Sequence, residues 1–130
     1  MVKGVLTAAA VYVGAIGAAL LIVPAQFGVD AVPDDPSPAL IALLRLLGGP
    51  LIGIAVLNWR SRSIDGSQLR GTVLLANLVA FALSTINDIE GVITGDARDA
   101  ARVFVVVHLA FTVAFAVAWT RDRTTPVSSP

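Results

Sequence analysis

Arg45, Asp88 and His108 are ionisable side chains set inside long apolar stretches of this 130-residue sequence. A guanidinium can grip a carboxylate through two parallel hydrogen bonds. An imidazole beside a carboxylate can hold or exchange a proton. Together the three could form an ion pair with a hydrogen-bonded histidine, or hold the polar end of a ligand. Depth along a helix decides whether they could meet. At about 1.5 Å per residue, Arg45 lies about 10 Å past Pro38, Asp88 about 7 Å before Ile93 and His108 about 9 Å past Arg102. All three therefore reach a similar level near one side of a helical array. Asn87 and Glu90 lie beside them, with Glu90 nearer the surface.

Charges within a membrane are costly, by at least about 2.5–3.5 kcal/mol for a central arginine, so partners are expected. The expectation is that Arg45 pairs with Asp88 and that His108 bonds to one of them or to a ligand. Three uses fit this placement: a clamp between helices, a polar site for a headgroup, ion or proton, or an Arg45 that snorkels outward alone. If the pair is buried, Arg45→Leu should be better tolerated alongside Asp88→Leu than alone, because the single change strands a carboxylate. Phe104, Phe111 and Phe115 share the helical side of His108, which could line an apolar pocket or face lipid. Asn77, Ser84 and Asp88 follow one stripe, but the first two do not titrate, so a pump is weakly supported.

The elements that must position these residues are four apolar runs, at about 5–23, 38–59, 71–93 and 103–119. Each has the length that spans a hydrocarbon core of about 30 Å. None alternates as a barrel strand does. Hydrophobic residues make up 56% of the chain and charged residues 14%, against about 45–50% and about 25% in soluble domains. The predicted fold is all-α: an integral membrane four-helix bundle with antiparallel up-down topology, in one domain over 1–120. A disordered cytoplasmic tail is expected over 121–130. With both termini inside, Lys3, Arg60, Arg62, Arg70, Arg121 and Arg123 lie inside and only Arg98 and Arg102 outside. The bias of basic residues toward the cytoplasm therefore predicts a multi-pass cell-membrane protein with both termini cytoplasmic. The first run exceeds the apolar stretch of a signal peptide and is expected to stay as a membrane helix.

Packing signals accompany the runs. Gly49 and Gly53 have the GxxxG spacing, on the stripe that carries Arg45, and are expected to admit a neighbouring helix or a second copy. Pro50 is expected to kink that helix.

Other chemistry is excluded. Cysteine is absent and histidine occurs once, so no thiolate or zinc centre is built and no metal or cofactor is predicted. There is no P-loop or dinucleotide loop, and no serine in a nucleophile elbow. A net charge of zero gives no invitation to nucleic acid.

The segment Ala42-Leu43-Leu44-Arg45-Leu46-Leu47-Gly48-Gly49-Pro50-Leu51-Ile52-Gly53, with the earlier Val23-Pro24-Ala25-Gln26-Phe27-Gly28, resembles small four-helix bacterial membrane proteins of uncharacterised function, loosely DoxX-like. The resemblance implies a four-helix fold in a bacterial inner membrane and draws interest to Arg45. It implies no activity. The functional expectation is a membrane-embedded binding or accessory protein for a hydrophobic small molecule or a partner membrane protein. One alternative is a small membrane enzyme acting on a lipid, quinone or isoprenoid. Another is an oligomeric transporter.

Overall fold

The computed structural model describes residues 1–64, 68–95 and 97–124, the last two by their backbone alone. Positions 65–67, Asp96 and positions 125–130 of the expected disordered tail lie outside the described residues. Among the described residues the chain is all-helical: α1 (Val2–Ile22), a one-turn α2 (Pro24–Phe27), α3 (Pro38–Ser61), α4 (Gln68–Thr94) and α5 (Ala101–Thr124). All except α2 are long and apolar enough to cross a membrane.

Local chemistry sets the boundaries. Val23 separates α1 from α2 and Pro24 opens α2, since proline disfavours helix in the residue before it and suits a first helical position. Ser37 caps α3 by accepting a hydrogen bond from the Leu40 N–H at 3.2 Å, and Pro38 occupies the next position. α4 ends at Thr94, and Gly95 follows at φ +79°, the left-handed conformation that glycine adopts without strain. Helix α3 runs unbroken through Pro50, whose missing N–H leaves the Leu46 carbonyl without its helical partner.

α5 continues to Thr124, and Asp122 near its end has a partner on α4. Its carboxylate accepts from Arg70 Nε at 2.8 Å and forms an ion pair with the same guanidinium. Arg70 also donates to the Ile64 carbonyl at 2.8 Å, fastening the chain just before α4.

α1 packs mainly on α3, and α4 mainly on α5; the two pairs touch each other more sparingly. The α1–α3 seam runs through glycines, but not through the expected ones. A Cβ on Gly17 would lie 2.9 Å from the Gly48 carbonyl, and one on Gly48 2.7 Å from the Gly17 carbonyl. Gly49 and Gly53 have open space where a Cβ would be. The packing face is thus one residue, about 100° of helix rotation, away from the GxxxG stripe.

A buried cluster joins the pairs around Leu6, Ala9, Leu74, Phe81, Phe115 and Ala118. It fills the end of the molecule where α1 begins and α5 finishes. At that level Asn58 and Asn77 exchange side-chain hydrogen bonds of 3.0 and 2.7 Å between α3 and α4. Asn77 also donates to the Val73 carbonyl at 2.8 Å. Toward the opposite end the pairs part and leave a cavity.

Candidate functional site

The cavity holds about 320 Å³, the lower end of the range for small-molecule sites. Its walls are mostly apolar: Val13 and Ile16 from α1, Leu51 and Ile54 from α3, Ala80 and Phe81 from α4. Asn77, Ser84 and Arg98 also line it, and three further polar side chains form a hydrogen-bonded chain in its wall. His108 Nδ1 lies 2.6 Å from Asp88 Oδ2, and His108 Nε2 lies 2.8 Å from the Tyr12 hydroxyl. A carboxylate accepts from Nδ1–H, which leaves Nε2 to accept from the Tyr12 O–H. The three side chains come from α4, α5 and α1, so the chain of hydrogen bonds bridges both helix pairs.

Aromatic packing fixes the imidazole. The Tyr12 ring meets it edge-on at 5.7 Å between centroids, and Phe104 lies nearly parallel at 5.9 Å. Phe111 and Phe115 stack with Phe81 at 4.6 and 5.6 Å. The phenylalanine face of α5 therefore points inward, toward α4 and α1. Thr112 donates to the His108 carbonyl at 2.8 Å and lies 3.2 Å from the Thr85 hydroxyl, pinning α5 to α4 one turn away.

Arg98, in the connection between α4 and α5, also lines the cavity. Its guanidinium donates to the carbonyls of Phe27 and Val29 at 2.6 and 3.2 Å. It also lies 5.4 and 5.3 Å from the ring centroids of Phe27 and Phe104, within cation–π range. The α4–α5 connection is thereby latched to α2 across the cavity mouth.

A second hollow, of about 410 Å³, lies on the far side of Asp88. Asn87, Glu90 and Thr94 line it with Ala97 and Ala101, and Asp88 borders both spaces.

Asp88 and His108 are thus brought together. Arg45 is not with them: it is exposed, and among the described residues no ion pair or hydrogen bond to it is found. The expected Arg45–Asp88 pair is replaced by His108–Asp88. The cause is rotation: α3 turns Gly48, Leu51 and Ala55 toward α1, which carries Arg45 outward. Asn87 and Glu90 are exposed beside the second hollow rather than joined to the imidazole.

Tyr12, Arg98 and Asn58 were missed by sequence reasoning. Tyr12 is the chain's one tyrosine and lies mid-helix, a placement that could have drawn attention to it. Asn58 is an amide within an apolar run, a further signal. Arg98 reads as a loop charge and gave none.

Family models, curated proteins and solved structures offer no match to this chain. The site's chemistry therefore rests on its own geometry.

Proposed function

We propose that this is a multi-pass membrane protein, an antiparallel up-down bundle, that binds an amphipathic small molecule in the cavity between its two helix pairs. The apolar body would lie against Val13, Ile16, Leu51 and Phe81. The polar end would meet the Tyr12–His108–Asp88 chain. The observation that carries this reading is a mostly apolar cavity with a hydrogen-bonded chain of polar side chains in its wall. Intramembrane ionisable residues commonly mark such sites. Exposed apolar side chains around the molecule, among them Ile22, Leu46, Leu83, Ile93 and Val106, suit contact with lipid.

Both termini are placed in the cytoplasm and the cavity toward the outer leaflet, on the charge bias of the connections. Because the chain has no cysteine, single reporters are clean. A cysteine at Asp34 should react with an impermeant thiol reagent added outside cells, and one at Ser63 only after permeabilisation. The reverse pattern would invert the orientation.

Native mass spectrometry of the chain in its own lipids tests binding. The wild type should release a small molecule that Ala80→Phe, which fills the cavity, does not retain. Equal retention by a folded Ala80→Phe variant would sink the proposal.

A further inference from the structure

Asp88 separates two spaces of different character. One is the apolar cavity; the other is the hollow bordered by Asn87, Glu90 and Thr94 at the end of α4. The hydrogen-bonded line from Asp88 through His108 to Tyr12 runs from that hollow to the cavity wall, with steps of 2.6 and 2.8 Å. Such spacing allows a proton to pass along the line with only bond rearrangement.

We propose that Asp88, His108 and Tyr12 form a proton relay between the outer hollow and the cavity ligand, and that this ligand carries a lipophilic phenol-type hydroxyl. The proposal rests on the binding reading above and deepens it. The ring class follows from the aromatic residues at the wall: Tyr12, Phe27, Phe81, Phe104 and His108 line the cavity, and aromatic groups favour one another in offset or edge arrangements. The hydroxyl follows from the relay, which ends on an oxygen that can both accept and donate.

The step balances without a co-reactant. The ligand O–H gives its proton to Tyr12 Oη, and the Tyr12 proton passes to His108 Nε2. The His108 Nδ1 proton passes to Asp88, which releases it into the outer hollow. The ligand is left as its oxyanion, and no electrons move. Arg98, the other charged group lining the cavity, supplies positive charge at the mouth. Glu90 shares the outer hollow with Asp88 on α4. From the elements packed alongside, α3 contributes Leu51 and Ile54 to the cavity and α2 contributes Phe27, none of which titrates.

The test uses the full chain in lipid nanodiscs with 2-naphthol, a two-ring phenol that becomes strongly acidic when excited, and with 2-methoxynaphthalene, which has no proton to give. Empty nanodiscs supply the background. Bound 2-naphthol should emit from its anion in the wild type, and that emission should rise more slowly in D₂O. With the occupancy of each variant measured by titration with both probes, the anion emission per bound 2-naphthol should be lost in Tyr12→Phe and in Asp88→Asn, both close in shape to the native residues. Anion emission unchanged in both variants, or no isotope effect in the wild type, would overturn the relay and leave the binding reading standing. Failure of the wild type to bind either probe would overturn both.

Discussion

Asp88 shows how one side chain inside an apolar helix finds a partner. The nearest suitable group is an imidazole on the neighbouring α5, not the guanidinium that matches it best in charge. Arg45 instead is exposed, on a face of α3 turned away from its seam with α1. Arg45→Leu should therefore shift unfolding free energy by less than about 0.5 kcal/mol, whether or not Asp88 is also changed. Denaturation in mixed micelles measures this, and strong coupling between the two positions would contradict the geometry. The Asn58–Asn77 exchange behaves differently, because both amides are buried. Asn58→Leu leaves Asn77 with groups unsatisfied and should cost about 1–3 kcal/mol. The double change to leucine should recover part of that loss in the same measurement.

Among the helices, close approach is set by whichever small residue faces the seam. At Gly17 and Gly48 the nearest atoms include a backbone carbonyl, which cannot move aside as a flexible side chain can. Gly48→Ala should destabilise the α1–α3 pair by about 1–3 kcal/mol through overpacking. Gly49→Ala should be neutral to slightly stabilising, since its added methyl meets open space and alanine is the better helix former. Thermal unfolding of the two variants side by side separates them. Helix α3 has just 6% of its most apolar stretch buried within the chain. Its stability therefore depends heavily on that one seam and on the Asn58 contact.

At the scale of the molecule, a packed end and an open end divide the labour. The cluster around Leu6, Leu74 and Phe115 holds the pairs together, and the other end opens into the cavity. Arg98 spans that opening through the Phe27 and Val29 carbonyls. Arg98→Ala should loosen the mouth: a cysteine placed at Ser84 should react faster with a thiol reagent in that background than beside native Arg98. Each hydrogen bond lost from a charged donor is worth about 1.5–3 kcal/mol, so the midpoint of unfolding should fall as well. Equal reactivity would show that the latch does not limit access. The four spanning-length helices were legible in the amino acids alone, because the length and apolarity of a run are local properties of the chain. So was the common level of Asp88 and His108, because rise per residue converts position directly into depth. Which way each helix turns about its own axis was not legible. All four runs are apolar nearly all round, so no polar face marks the outside, and a single residue of rotation exchanges Gly48 for Gly49 at the seam. Tertiary packing made that choice, and with it sent Arg45 outward, gave Asp88 to His108 and set Tyr12 on the other side of that imidazole.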